Sequence, residues 1–146
     1  MSYKPSLWPV SAKGVALDRQ NRVVLLYNER GEWEPPGGRL EIGPPSGSNP
    51  ADHSLEEAVE RELREETGWV VKAEQLLDTW IYVPIPGRRV LIVTYACTVL
   101  TPDIPPVVSD EHSRVELFAE HEVPALNMPD GYKKSIAAVY ATRTKR

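Results

Sequence analysis

Hydrophobic and polar positions change rhythm along this chain, and each rhythm predicts an element. Residues 11–17, 22–27, 70–83, 88–100 and 114–119 are rich in β-branched, aliphatic and aromatic residues bounded by turn formers, which predicts five strands. Asp18-Arg19-Gln20-Asn21 separates the first two strands, and Pro84-Ile85-Pro86-Gly87 joins the third and fourth into a hairpin. Between residues 54 and 67 the period becomes helical. Ser54 followed by Glu57 is a capping-box start, Gly68 is a stop, and Leu55, Ala58, Val59 and Leu63 fall on one arc at about 100° per residue. A last helix over 130–143 follows Pro129 and turns Tyr132, Ile136, Val139 and Tyr140 to one side. The loop 101–113 holds Pro102, Pro105 and Pro106 and is too proline-rich for a strand.

The first helix carries its information in the residues that break its pattern. Glu62 and Glu66 lie inside the apolar arc and Glu65 lies at its edge, while Glu56, Glu57, Glu60, Arg61 and Arg64 point away as a solvated face. A buried carboxylate without a partner costs several kcal/mol, so Glu62 and Glu66 must meet a cation or a set of donors. Their spacing with Glu65 is i, i+3, i+4, close enough for one hard divalent cation shared with substrate phosphates. The bland alternative is that they accept hydrogen bonds from a glycine loop or pair with an arginine. Upstream, Pro35-Pro36 leads into Gly37-Gly38, a turn where backbone approaches something closely.

Composition narrows the class without naming the chemistry. With 146 residues and 41% hydrophobic content, the chain buries roughly 70% of its unfolded surface in one core, which predicts a single domain over 1–146. The lone Cys97 excludes an internal disulfide and reads as a core residue, and a reducing cytoplasmic setting is the default. The stretch 90–100 is far too short to span a membrane. Six glutamates against two arginines give the helix 54–67 a net charge of −4, equal to that of the whole chain. An anion approaching that helix is repelled unless divalent cations intervene, which also disfavours general nucleic-acid binding. The basic end Arg143, Lys145 and Arg146 reads as a solvated helix terminus.

From Gly38 to Trp69 the chain resembles the Nudix box, G-x5-E-x7-R-E-U-x-E-E-x-G-U, where U is a bulky apolar residue. Arg61, Glu62, Leu63, Glu65, Glu66 and Gly68 match the second half, with Trp69 as an aromatic stand-in for the usual aliphatic. The first half departs from the pattern. Counting forward from Gly38 the box glutamate falls on Pro44; counting back from Arg61 it falls on His53, and Gly47 takes the glycine position. Gly37-Gly38-Arg39-Leu40-Glu41 is more like the family's loop, so an exposed, mobile insertion over 44–52 is expected, with Glu41, Asp52 or His53 left open as the substitute acid.

The resemblance implies an α/β fold, an α/β/α sandwich with a mixed sheet between helices, and a hydrolase acting on a small-molecule nucleotide. It implies Mg²⁺ or Mn²⁺ held by Glu62, Glu65, Glu66 and a backbone carbonyl of Gly38 or Gly37, with Arg61 holding the loop and a catalytic glutamate in place. It places a general base, or an extra metal ligand, at Glu111, with Asp110 as rival; His112 reads as a turn or packing residue. The reaction implied is hydrolysis of the pyrophosphate of a nucleoside diphosphate linked to another group, leaning to ADP-ribose or a nucleotide sugar. A nucleoside triphosphate pyrophosphohydrolase and a non-catalytic nucleotide sensor are the alternatives. Gly37, Arg39, Tyr82, Arg88 and Tyr132 are the candidate substrate contacts, and Trp8, Trp80, Arg89, Lys133 and Lys134 are further stacking or phosphate candidates. Nothing targets a membrane, and a homodimer is left open.

Overall fold

A computed structural model describes residues 8–40, 52–110, 112 and 114–144. Strand β1 (Val10–Ala16) turns through Asp18, whose Oδ1 accepts the N–H groups of Gln20 and Arg22, into β2 (Val23–Tyr27). Two short strands follow, β3 (Trp33–Glu34) and β4 (Gly37–Arg39), before helix α1 (Leu55–Thr67). A long hairpin then pairs β5 (Val71–Ile85) with β6 (Arg88–Val99) around Pro86 and Gly87, so the hairpin turn is tighter than the four residues expected. The chain ends in β7 (Arg114–Phe118), a 3-10 helix (Glu120–Ala125) and α2 (Asp130–Thr144).

Two sheets form. One is mixed, in the order β4-β1-β6-β5, with β1 parallel to β6 and the other pairs antiparallel; the other is antiparallel, in the order β3-β2-β7. The period-2 alternation of β1 divides its side chains between two packed layers. Ala12 and Ala16 meet Ala58, Val59 and Leu63 of α1. Val15 and Leu17 meet Tyr132, Ile136 and Val139 of α2. The α/β/α arrangement of a mixed sheet between helices is therefore present, and Cys97 sits in the α1-side core.

Helix α1 is set where its sequence predicts. Ser54 Oγ accepts the Glu57 N–H at 3.1 Å, Glu57 Oε2 accepts the His53 N–H at 2.9 Å, and Gly68 closes the far end in the left-handed conformation. The helix lies very close to β1, because a methyl group on Gly14 would stand 2.8 Å from Val59 and 2.9 Å from Leu63. That closeness carries Glu62 and Glu66 under β4, the neighbour of β1. The opposite face is less solvated than its pattern suggests: Glu60 accepts the Ala73 N–H at 2.9 Å and Glu56 accepts the Tyr95 hydroxyl at 2.8 Å. These glutamates fasten α1 to the β5–β6 hairpin.

Candidate active site

Strand pairing opposes Ala12 to Gly38 and Lys13 to Gly37, so the glycine loop is an edge strand whose two faces look onto different layers. A Cβ on Gly38 would lie 2.9 Å from Glu62 Oε1, so the glycine leaves room for that carboxylate. At Gly37 the constraint is stronger. Its φ of +148° is strained for any residue with a side chain, and a Cβ would fall 2.1 Å from the Ala12 carbonyl oxygen. The Gly37 N–H donates to Glu66 Oε1 at 3.0 Å, which ties loop to helix directly.

Glu66 is buried, with 2% of its surface exposed. Its second oxygen, Oε2, has no hydrogen-bond partner among the described residues. Burial and the neighbouring Glu62 push its carboxyl well above the usual carboxylate range, against the pull of Lys13 and the Gly37 N–H. Two carboxylates crowded in this way, one with an orphaned buried oxygen, under a glycine cradle, fit a divalent cation. The structure brings Glu62 and Glu66 together but leaves Glu65 apart: its side chain is 54% exposed and bonds Arg61 Nη1 at 3.0 Å.

Arg61 is not on a solvated face. Its side chain is mostly buried, bonds Glu62 and Glu65 through Nη1, and meets Asp52 through Nε and Nη2, both at 3.0 Å. This two-pronged pair corrects the expected exposure of Asp52, whose side chain is 1% exposed because an arginine fork demands both of its oxygens. Of the two such candidates among the described residues, Asp52 meets Arg61 and His53 does not. His53 is exposed, with its N–H given to Glu57. Glu41 and residues 44–51 of the insertion lie outside the described residues, as does Glu111.

On the far side of Gly38 lies a cavity of about 360 Å³, bordered by Lys13, Arg30, Glu34, Arg39, Tyr82, Arg88 and Tyr132 among others. Four of the five candidate substrate contacts thus share one concavity, and Gly37 adjoins it through Lys13. Trp80 does not line it. Its ring is packed at 4.9 Å from Tyr132 and 5.5 Å from Tyr82 and covers Gly131, where a Cβ would stand 2.2 Å away. Lys133 and Lys134 face a different hollow beside the 3-10 helix, and Trp8 and Arg89 line a shallow one at the hairpin turn.

Three residues that the sequence reading passed over complete the site. Lys13 is buried between Glu34, 3.7 Å away, and the Tyr132 ring, 5.9 Å away. Burial opposes its charge, but Tyr132, Glu34, Glu66 and Glu62 outweigh that and hold its pKa above the ordinary lysine value. For Glu34 burial acts the other way, and Lys13, His112 and Asn28 together bring its carboxyl down to about 2. His112, read as a turn or packing residue, closes a turn by donating its N–H to the Ser109 carbonyl and also stands between two acids: Nε2 is 3.4 Å from Glu34 Oε1 and Nδ1 is 3.3 Å from Glu66 Oε2. A period-2 count would have found Lys13, which shares the face of Val15 and Leu17.

Comparison with known proteins places this geometry. A family model described as NUDIX domain matches residues 8–139. An ADP-ribose pyrophosphatase of Methanocaldococcus jannaschii is 26% identical over 129 residues, covering 85% of this chain and 70% of that protein. Among solved structures, a MutT protein from Methanosarcina mazei Go1 is similar with a TM-score of 0.72 at 18% identity, over 95% of this chain and 96% of that one. An Ap4A hydrolase of C. elegans gives a TM-score of 0.75 at 15% identity, over 94% and 99% of the two chains. At such identities the solved structures speak to the fold alone.

Proposed function

Since the chain belongs to the Nudix hydrolase family, we propose that it hydrolyses, with a divalent cation, the pyrophosphate bond of a nucleoside diphosphate joined to another group, ADP-ribose being the model substrate. The observation that carries this reading is Gly38. One face of it covers the crowded carboxylates Glu62 and Glu66, and the other borders a cavity with Arg39, Arg88 and two tyrosines. Nudix hydrolases generally use divalent metal ions. The M. jannaschii relative, named an ADP-ribose pyrophosphatase, supports the substrate class.

Each part of the chain then has a task. Glu62 and Glu66 hold the cation beside the loop carbonyls of Gly37 or Gly38, and Glu65 joins them by releasing Arg61. Bound there, Mg²⁺ or Mn²⁺ supplies charge neutralisation on phosphate oxygens, the main requirement of phosphoryl chemistry. Arg39 and Arg88 meet the phosphates, and the rings of Tyr82 and Tyr132 take the flat or apolar parts of the substrate. Arg61 and Asp52 keep the helix start in register with the loop. His112 brings the loop before β7 to Glu66, and Glu111 in that loop is the acid assigned to water activation.

The test is a turnover screen of ADP-ribose, nucleotide sugars, dinucleoside polyphosphates and nucleoside triphosphates with Mg²⁺ and Mn²⁺, for the parent chain and Glu66→Gln. ADP-ribose or a nucleotide sugar is cleaved fastest by the parent. Glu66→Gln lowers that rate about 100-fold or more, because charge stabilisation of several kcal/mol is lost at 1.36 kcal/mol per factor of ten. Preference for triphosphates moves the protein to the nucleotide-pool class; binding without turnover of any compound makes it a sensor.

A further inference from the structure

The cavity beside Gly38 is not uniformly basic. Arg39 and Arg88, from β4 and β6, have no salt-bridge partner among the described residues and offer it two uncompensated positive charges. The turn between β2 and β3 borders the same cavity with Glu29 and Arg30, and there the balance is reversed. Three carboxylates, Glu29, Glu32 and Glu34, stand around two cations, Arg30 and Lys13.

Glu32 does not line the cavity; it acts through two residues that do. Its Oε1 accepts the Tyr82 hydroxyl at 2.8 Å and lies 3.4 Å from Arg30 Nε. Arg30 also reaches Glu34 with Nη2 at 3.6 Å, and its guanidinium stands 5.8 Å from the centre of the Tyr82 ring. The backbone holds these side chains in place. Asn28 Oδ1 accepts the N–H groups of Arg30 at 2.9 Å and Glu32 at 3.0 Å, Gly31 is left-handed with a φ of +77°, and Asn127 donates to the Gly31 carbonyl at 2.7 Å. Burial and the bond to Glu32 hold the Tyr82 phenol above its ordinary pKa, so the hydroxyl keeps the proton it donates. One carboxylate oxygen thereby joins the β2–β3 turn to the β5–β6 hairpin.

This cluster makes a poor phosphate clamp. An arginine grips phosphate with a fork of two N–H groups, and here Nε and Nη2 already face Glu32 and Glu34. An anion entering beside them meets surplus negative charge. A sugar or nucleoside meets no such cost, because carboxylate oxygens accept from its hydroxyls and the Tyr82 ring covers its apolar side.

We infer that Glu32 is a positioning residue that makes the cavity select a substrate whose group at the Tyr82–Arg30 wall is uncharged and hydroxylated, a sugar or nucleoside rather than a further phosphate. The inference rests on the hydrolase reading above and deepens it. The phosphates of the scissile pyrophosphate lie along Arg39 and Arg88, and selection is exercised by repulsion at the other wall. Glu32 and Arg30 are partly exposed, so solvent and salt screen the effect to about 10-fold.

The test measures kcat/KM of the full chain with Mg²⁺ for ADP-ribose and for two analogues bearing one extra phosphate, on the adenosine ribose in one and on the terminal ribose in the other. Either orientation of the substrate is then covered. The parent cleaves at least one analogue with a kcat/KM about 10-fold or more below that of ADP-ribose, and added salt narrows the gap. In Glu32→Gln, whose amide oxygen still accepts the Tyr82 hydroxyl, the gap for that analogue shrinks about 5-fold; in Arg30→Gln, which leaves the carboxylates unbalanced, it widens. Either variant decides the sign by itself. Equal kcat/KM for all three compounds in the parent, a gap that Glu32→Gln leaves unmoved, or a gap that Arg30→Gln narrows overturns the selection while leaving hydrolysis standing. A parent that cleaves none of the three overturns both.

Discussion

Glu34→Gln keeps the size and much of the hydrogen bonding of the side chain and removes only its charge, so it isolates the buried pair with Lys13. The two side chains are 3.7 Å apart and about 10% exposed or less, so solvent screens them little. Glu34 titrates at about 2 against an ordinary 4.5; at 1.36 kcal/mol per unit that depression is worth about 3 kcal/mol of stability. An independent argument agrees: removing one member of a buried pair costs about 3–5 kcal/mol, because the other charge stays buried alone. The pKa is lowered on folding, so the contribution is fully present above 4.5 and is lost as pH falls towards 2. Urea unfolding in EDTA, with parent and variant compared at pH 7 and pH 3, is the assay. The variant is less stable by about 3 kcal/mol at pH 7, and the gap narrows to about 1 kcal/mol at pH 3. A gap that stays the same at both values refutes the electrostatic account, and one below about 1 kcal/mol at pH 7 refutes the burial argument with it.

Two further substitutions probe the cradle. Asp52→Asn takes one charge from the Arg61 fork and lowers stability by about 2 kcal/mol, measured by thermal unfolding; in Arg61→Met the same change costs little, and equal costs in both backgrounds would dissolve the pair. Gly38→Ala places a methyl group 2.9 Å from Glu62 Oε1, so Mn²⁺ affinity and turnover fall at least about 10-fold while circular dichroism is unchanged; unaltered Mn²⁺ titration removes Gly38 from the site.

The parts of this molecule that sequence made legible are those with enough residues to carry a period. The five long strands and both helices fall within a few residues of their expected bounds, and Glu62 and Glu66 stood out as acids on an apolar stripe. Strands β3 and β4, of two and three residues, are too short to show alternation and exist because β1 and β2 offer them edges. Glu34 belongs to that hidden part. Asp52 was legible only as one of three candidates, since its pairing with Arg61 is made in space. His112 was legible as a turn residue, but its neighbours Glu34 and Glu66, 78 and 46 positions away in sequence, were not. Lys13 was within reach, as the one charged residue on the buried face of β1.

The enclosed lysine also settles an electroneutrality question. Lys13 and Glu34 cancel each other, so the pair presents the cavity with a dipole and no net charge. What remains under the glycine loop is Glu62, paired with Arg61 Nη1 at 3.1 Å, and Glu66, whose carboxyl is pushed above the usual carboxylate range by burial and by Glu62. On the metal-dependent reading proposed above, a divalent ion entering this site would compete with a proton at Glu66 and with the Arg61 guanidinium at Glu62.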